Sequence, residues 1–248
     1  MNRSSPVTRS WWICMVTVCT GCRDKPGINK GEMNMLSGMH ASKTQPGQRP
    51  TTHIVFDMGG VLVDIQWQQK IGEILGQDIP FDQMHQLWGN SRAAEDFETG
   101  QINFATFSEQ FRREFALNLD HAEFERLYAE VIRDEFPGTG QLLDHLGQHF
   151  ELGLLSNINP YHWAMVEQRP FLAQIPHVHT SLTLGYMKPD PRIYRALLHS
   201  MQAEPEQVLF FDDGLINVEA ARAEGMDAEQ VFGPDDIEQA LRDRGLWP

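Results

Sequence analysis

The chain has 248 residues, 41% of them hydrophobic and 22% charged, a composition typical of a globular protein with one large domain or a core domain with an insert. Its formal net charge is −14, and residues 1–51 hold seven lysines and arginines against two acids, whereas residues 52–248 hold thirteen against thirty-two. So acidic a domain is poorly suited to a nucleic-acid backbone, and we expect no nucleic-acid partner. An anionic substrate would need local positive charge, and Lys70 and Lys188 are the only lysines beyond residue 51.

The N-terminal segment differs from the rest of the chain and contains all three cysteines, Cys14, Cys19 and Cys22. The remainder has no disulfide framework, which is typical of a reduced compartment, and we expect a cytoplasmic protein. The C-x4-C-x2-C spacing has no histidine nearby and no second cysteine pair, so it does not favour a metal site. The apolar run at residues 11–19 is too short to span a membrane. We predict a disordered extension over residues 1–51, with export or lipid anchoring through residues 1–22 as the alternative.

From residue 52 onward, short apolar runs alternate with helical patterns, and this alternation predicts an α/β fold with a doubly wound parallel sheet. The runs are continuous rather than alternating, as expected of central strands buried on both faces. The predicted strands are His53–Phe56, Phe150–Leu155, His177–Leu184, Gln207–Phe211 and Glu229–Phe232.

A long helical interruption follows the first strand, roughly from Gln66 to Glu135. Thr106 with Glu109 resembles a capping box, Asp120 with Glu123 opens a further helix, and we expect no strand in this region. We therefore predict a helical cap at residues 67–135, inserted into a core formed by residues 52–66 and 136–248. Such an insert would lie over the carboxyl ends of the strands, where open α/β sheets bind ligands. The predicted apolar face of the first of these helices carries Phe104, Phe107, Phe111 and Phe115.

Four short motifs stand at the ends of predicted strands or in the loops after them. In chain order they read IVFDMGGVLVD, LGLLSNIN, GYMKPDPRIY and VLFFDDGLINVEAA. In this order and spacing, over residues 53 to about 233, they resemble the four motifs of the haloacid dehalogenase superfamily. The resemblance implies a Rossmann-like core with a helical cap and the activity of a hydrolase, closest to a bacterial subgroup that includes glucose-1-phosphate phosphatases.

The resemblance assigns roles to four residues. Asp57 would be the nucleophile, because a carboxylate can accept a phosphoryl group and split one hard displacement into two easier ones. Ser156 and the backbone N–H of Asn157 would bind phosphate oxygens, and Lys188 would neutralise charge on the phosphoryl group and restrain Asp57. Taken singly, each has an ordinary structural explanation, such as a turn cap, a helix cap or a solvated lysine. Their occurrence together favours the catalytic interpretation.

Two adjacent acids, Asp212 and Asp213, follow the predicted fourth strand and cannot both be charged comfortably without a cation or strong donors. Magnesium takes a few hard oxygen ligands and keeps several waters. By resemblance, its ligands would be the Asp57 carboxylate, the Gly59 carbonyl and the Asp213 carboxylate. Asp212 and Asn217 would hold these ligands in place without binding the metal themselves. The alternative is that Asp212 and Asp213 lie in an ordinary surface turn.

Gly59 departs from the pattern of most phosphatases of this superfamily, which have an aspartate there that protonates the leaving alcohol and then activates water. That help is typically worth about 10²–10⁴-fold. We expect a magnesium-dependent phosphatase that acts on a small phosphorylated metabolite, with a sugar phosphate as the candidate, through an aspartyl-phosphate. A hydrolytic 2-haloacid dehalogenase and a weakly active phospho-ligand or partner-binding protein remain alternatives. His162 or a residue of the cap is a weak candidate for the missing acid.

Substrate selection is expected to lie in the cap and the loops that close over Asp57. The candidates there are Trp67, Trp88, Arg92 and Glu95. Core packing is the expected role of the two tryptophans, and a solvated helix face is the ordinary explanation of Arg92. The pattern predicts no membrane-spanning segment and does not define an oligomeric state.

Overall fold

The computed structural model describes residues 51–248. The predictions for the N-terminal extension, its three cysteines and its short apolar run fall on residues 1–50 and lie outside the described residues. Within the described part of the chain, no helix has both the length and the apolar character needed to cross a membrane. The cytoplasmic location stays a prediction.

Strands of the described residues form two sheets. The larger sheet has five parallel strands in the order β5-β4-β1-β6-β7, and the smaller is an antiparallel pair of β2 and β3. The strands are β1 (His53–Phe56), β2 (Val63–Ile65), β3 (Ile132–Glu135), β4 (Glu151–Ser156), β5 (His177–Thr180), β6 (Val208–Asp212) and β7 (Asp227–Gln230).

Helices fall into two groups, five between β2 and β3 and the rest between or after the strands of the large sheet. The first group is α1 (Trp67–Leu75), α2 (Phe81–Asn90), α3 (Arg92–Glu98), α4 (Phe104–Glu114) and α5 (His121–Ala129). The second is α6 (Thr139–Leu146), α7 (Pro160–Val166), α8 (Ser181–Leu184), α9 (Pro191–Met201), α10 (Leu215–Ala223) and α11 (Pro234–Asp243). Short 3-10 turns occur at Pro170–Gln174 and Pro205–Gln207.

The large sheet is buried on both faces, which explains the continuous apolar runs of its strands. In β1, Ile54 and Phe56 pack into one apolar cluster, while Val55 packs into another on the opposite face. All three are fully buried. The predicted doubly wound parallel sheet is confirmed.

Two strand predictions are wrong in part. The strand predicted at His177–Leu184 ends at Thr180, because the Thr180 and Thr183 side chains form a capping box that starts α8. The helical interruption also contains a strand, β3, where none was predicted. It pairs with β2. The chain thus leaves the core along β2 and returns to it along β3 after the five helices. A four-residue strand with only one apolar residue, Ile132, gives little periodic signal. The first predicted strand coincides with β1, and the other three are displaced by one or two residues at their ends.

Helices α1–α5, called the cap below, bury their own apolar cluster, which includes Phe97, Phe107 and Phe111. The predicted start of α5 is confirmed, since its N-cap Asp120 accepts, through its side chain, a hydrogen bond from the backbone N–H of Glu123. The capping box predicted at Thr106 is wrong. The N-cap of α4 is Asn103, whose side chain accepts from Thr106 N, so Thr106 lies in the first turn. The boundaries of the cap at residues 67 and 135 stay a prediction.

Candidate active site

Three strands of the large sheet end beside one another with polar side chains. Asp57 directly follows β1, Ser156 ends β4 and Asp212 ends β6, and β1 lies between the other two. The backbone N–H of Asp57 donates to Phe211 O at 2.7 Å, which continues the pairing of β1 with β6 past the strand end. The strand order changes direction at β1, and ligands of open α/β sheets bind outside the carboxyl ends at such a point.

Lys188 connects two of these carboxylates from the loop before α9. Its Nζ lies 2.9 Å from Asp57 Oδ1 and 2.6 Å from Asp212 Oδ2. Burial lowers the pKa of the lysine, but the charges of Asp212 and then Asp57 outweigh that effect and leave it above its ordinary value. Burial raises the pKa of Asp57, and the charge of Lys188 opposes this effect. Asp57 Oδ1 takes part in the ion pair with Lys188 but receives no hydrogen bond of good geometry.

Asp212 and Asp213 have different surroundings. Asp212 Oδ1 accepts from Gly214 N at 2.8 Å and from Asn217 Nδ2 at 2.9 Å, and its other oxygen contacts Lys188. Burial, together with the charges of Asp212 and Asp57, raises the pKa of Asp213 well above its ordinary value. Oxygen atoms of Asp57, Asp212 and Asp213 lie within 4.8 Å of one another. Three buried carboxylates this close together, only two of which contact the Lys188 ammonium, suit a divalent cation with hard oxygen ligands.

Ser156 and Asn157 stand beside this cluster. Ser156 is buried, and its hydroxyl has only a 3.5 Å contact with Asn157 O, which leaves it available to a ligand. The Asn157 amide makes two hydrogen bonds with the backbone of Lys188, accepting from its N–H at 2.8 Å and donating to its carbonyl at 2.9 Å. The side chain of Asn157 therefore positions the lysine and leaves phosphate contact to its backbone N–H. The structure brings the predicted catalytic, phosphate-binding and metal-binding residues together, and their chemical roles stay predictions.

Gly59 and Gly60 follow Asp57 but meet different neighbours. Gly60 has a φ of +73°, and a Cβ on it would lie 2.1 Å from Asp213 Oδ2. Its backbone N–H donates to Val63 O at 2.8 Å, which closes the turn. A Cβ on Gly59 would meet the Ile65 side chain, with the nearest carbon, Cδ1, at 2.9 Å. The end of an isoleucine can shift, whereas a carboxylate held in the cluster cannot shift without changing the site.

These neighbours lead to a paired prediction. Gly60→Ala should lower kcat/KM on the order of 10²-fold, because it displaces the Asp213 carboxylate, and it adds about 1–2 kcal/mol of backbone strain. Gly59→Ala should change kcat/KM by less than about threefold, on the scale of repacking one flexible side chain. Steady-state kinetics and urea unfolding of the two variants measure the contrast. Equal effects of the two substitutions would contradict this assignment of the turn.

A cavity of about 120 Å³ lies above the carboxylate cluster, between the strand ends and the cap. The core contributes Asp57, Ser156, Lys188 and Asp213 to its lining. The cap contributes Trp67, His85, Trp88, Glu98 and Tyr128. The two predicted tryptophans thus line the cavity and also pack in the cap, where their rings are 5.9 Å apart.

The other predicted residues of the cap lie elsewhere. The Arg92 side chain is 75% exposed and pairs with Glu95 and Asp96 on its own helix. Neither Arg92 nor Glu95 lines the cavity. His162 does line it, but its Nε2 donates to Tyr128 O at 2.9 Å and burial lowers its pKa to about 4. A neutral, already bonded histidine is a poor proton donor, so the structure does not favour His162 as the missing acid.

Sequence reasoning missed several polar residues of the cavity, among them His85 and Glu98. The sequence does carry a signal for Glu98, because it follows Ala94 by four residues and therefore shares the buried face of α3. His85 belongs to an aromatic group with Trp67 and Phe81, at centroid distances of 4.7 and 4.6 Å. No spacing in the sequence distinguishes this histidine from an ordinary core residue.

Comparison with known proteins identifies the family. The sequence model of the haloacid dehalogenase-like (HAD-like) hydrolase family matches residues 51–225, and the chain belongs to this family of hydrolases. The match covers β1, the cap and the strand ends that carry the cluster described above.

Curated relatives include two bacterial phosphatases named for phosphorylated polyols or sugars. A D-ribitol-5-phosphate phosphatase from Bacteroides thetaiotaomicron is 25% identical over 76% of this chain and 96% of its own length. A phosphorylated carbohydrates phosphatase from Thermotoga maritima is 24% identical over 73% of this chain and 83% of its own. Both relatives are therefore matched over most of their length.

Solved structures share the fold. A predicted HAD-like hydrolase from Porphyromonas gingivalis has a TM-score of 0.62 and 22% identity, over 79% of this chain and 98% of its own. A HAD family enzyme from Bacteroides thetaiotaomicron, solved as a complex with magnesium and inorganic phosphate, has a TM-score of 0.57 and 23% identity, over 73% of this chain and 93% of its own.

Proposed function

We propose that this hydrolase is a magnesium-dependent phosphomonoester hydrolase that works through an aspartyl-phosphate. The carrying observation is the position of Lys188, which bridges Asp57 and Asp212 beside a third carboxylate, Asp213. A nucleophilic carboxylate, a buried ammonium and a cation site in one cavity suit the transfer of an anionic phosphoryl group. A haloacid substrate would give the three carboxylates no comparable function.

Magnesium fits the donor set of this chain. The Asp57 and Asp213 carboxylates and the Gly59 carbonyl would hold it, while Asp212 is occupied by Lys188, Gly214 and Asn217. Bound there, Mg²⁺ would neutralise charge on the phosphoryl oxygens. The relative that was solved with magnesium and inorganic phosphate supports this assignment.

The residues of the chain divide the chemistry among them. The Asp57 carboxylate attacks phosphorus, so that an oxygen–phosphorus bond to Asp57 forms as the ester bond breaks. The Ser156 hydroxyl and the Asn157 backbone N–H donate to phosphoryl oxygens. Lys188 supplies positive charge to the phosphoryl group and orients Asp57. Water then attacks the aspartyl-phosphate, releasing phosphate and restoring the carboxylate.

A small phosphorylated metabolite, with sugar or polyol phosphates as the first candidates, is the proposed substrate class. The cavity of about 120 Å³ is comparable to the engineered cavity of about 150 Å³ that holds benzene, so it suits a small ester. The names of the two curated relatives support phosphorylated carbohydrates and polyols. The finer resemblance to glucose-1-phosphate phosphatases stays a prediction. We also propose that the protein acts in the cytoplasm.

The test is phosphate release from a panel of sugar phosphates, polyol phosphates, nucleotides and phosphorylated acids, measured with Mg²⁺ and with EDTA. We expect release from small sugar or polyol phosphates that stops in EDTA and returns with added Mg²⁺. Halide release from 2-haloacids in EDTA would support the dehalogenase instead. Binding of a phosphorylated ligand without release of phosphate or halide would support the weakly active binding protein.

A further inference from the structure

Glu98, the last residue of α3, is a buried acid on the cap side of the active-site cavity. The residue is 5% exposed and lines the cavity together with Asp57 and Lys188. Its backbone carbonyl accepts a hydrogen bond from Ser181 Oγ at 2.6 Å. This bond fixes the end of α3 to the core, so the acid is held in place over the strand ends.

The carboxyl of Glu98 is only half satisfied by its neighbours. Its Oε1 accepts from Asn159 Nδ2 at 3.2 Å, and this amide also donates to Tyr128 Oη at 2.9 Å. The other oxygen, Oε2, is buried and receives no hydrogen bond of good geometry, although the Trp88 side chain lies close enough to the carboxyl to lower its pKa. An unpaired buried carboxyl oxygen is costly unless a ligand uses it. The last torsion of a glutamate is broad, so the carboxyl can turn toward a ligand oxygen in the cavity.

The position of Glu98 corresponds to where a leaving group would lie. In phosphoryl transfer the attacking and leaving oxygens are roughly in line with phosphorus, so the leaving oxygen points away from Asp57 and toward the cap. Among the described cap residues, Glu98 is the only carboxylic acid that lines the cavity. The other titratable cap groups suit the task less well. His85 uses Nδ1–H on Phe81 O, burial lowers its pKa, and its Nε2 therefore carries no proton.

We propose that Glu98 is a catalytic residue that protonates the leaving oxygen, in place of the acid that Gly59 cannot supply. The proposal rests on the phosphatase function proposed above. As the bond from Asp57 to phosphorus forms, the ester bond breaks, its electron pair stays on the leaving oxygen, and that oxygen takes the Glu98 proton. In the second step the Glu98 carboxylate takes a proton from the attacking water as the bond from Asp57 to phosphorus breaks. Glu98 is then ready for the next substrate.

The protonation state of Glu98 agrees with this role. Burial is the largest effect, and the pKa of Glu98 is raised to about 7; the charge of Asp57 acts in the same direction, whereas the contacts from Asn159 and Trp88 oppose it. Burial raises the pKa of the neighbouring Tyr128 well above its ordinary value and lowers that of His162 to about 4, so both stay neutral near pH 7. A general acid works best when its pKa lies near the working pH.

The test compares two esters in the full-length wild type and Glu98→Gln. For a polyol phosphate, whose leaving alcohol is basic, the variant should lose about 10²–10⁴-fold in kcat/KM. For p-nitrophenyl phosphate, whose leaving group is acidic, the rate of the first-turnover burst of nitrophenolate in the variant should differ from that of the wild type by less than about tenfold. Later turnovers of the variant should be slow, because Glu98 also accepts the proton of the attacking water in the second step. Wild-type kcat/KM for the polyol ester should fall as pH rises above about 7, because Glu98 loses its proton. This alkaline limb should be absent in the variant.

Glu95→Gln is the matched control, because Glu95 lies one turn earlier on α3 with an exposed side chain. It should behave like the wild type with both esters. Glu98→Asp keeps a carboxylic acid and should retain the alkaline limb at a reduced rate. Equal losses in rate on both esters, or an unchanged alkaline limb in Glu98→Gln, would overturn the role of Glu98. Magnesium-dependent hydrolysis by the wild type and Glu95→Gln would in that case still support the proposed function. No hydrolysis of any ester by the wild type would overturn both.

Discussion

Replacing Asp57 by asparagine is expected to abolish turnover, with a loss in kcat on the order of 10⁴-fold or more, as for the removal of other enzyme nucleophiles. Asparagine keeps the shape of the side chain but cannot form the acyl-phosphate bond. Folding should survive, because Lys188 keeps its contact with Asp212 and one of three crowded buried carboxylates is removed. Phosphate release with Mg²⁺ and urea unfolding in EDTA measure the two effects.

Asp64 is the control for this substitution. It ends the same motif in β2 but is exposed and does not line the cavity above the cluster. Asp64→Asn should therefore retain wild-type kcat and stability. Magnesium-dependent phosphate release by purified Asp57→Asn at near wild-type rates would rule out Asp57 as the nucleophile.

Replacing Lys188 by methionine is expected to damage both activity and stability. The substitution leaves Asp57 and Asp212 buried without their shared cation, and breaking a buried ion pair in this way costs roughly 3–5 kcal/mol. The loss of positive charge at the phosphoryl group should lower kcat about 10²–10³-fold. Urea unfolding should show the full stability loss in EDTA and a smaller one in Mg²⁺, since a bound cation takes over part of the neutralisation.

Lys70 provides a matched control, since it is the other lysine of the described chain and also has two carboxylate partners. Its Nζ lies 2.6 Å from Glu130 and 3.1 Å from Glu73, but those side chains are 39% and 38% exposed. Water can therefore solvate the carboxylates that Lys70→Met leaves behind, and the stability change should be far smaller than for Lys188→Met. Similar stability losses from the two substitutions would contradict the buried ion-pair network.

The class of fold could be predicted from the sequence because its signals are local. Strands buried on both faces need continuous apolar runs, and β1 matched its prediction residue for residue. Signals failed where a neighbour in space decides the conformation. The strand β3 exists because β2 lies beside it. A local signal was also missed, since α8 begins directly after Thr180, where the Thr180 and Thr183 side chains form a capping box. The N-cap of α4 is Asn103 rather than Thr106. The sequence did not distinguish them, because asparagine and threonine both favour the N-cap position.

The sequence by itself determined which residues stand at the strand ends, because parallel strands bring Asp57, Ser156 and Asp212 to one edge of the sheet. The resemblance of its motif also indicated that Lys188 would lie near them. Tertiary structure alone decided what faces them from the cap. Glu98 is far from the four motifs along the chain, and its burial and free oxygen depend on packing against Asn159 and Tyr128. A helical pattern states which face is buried, but only the packed cap determines that this face covers the active site.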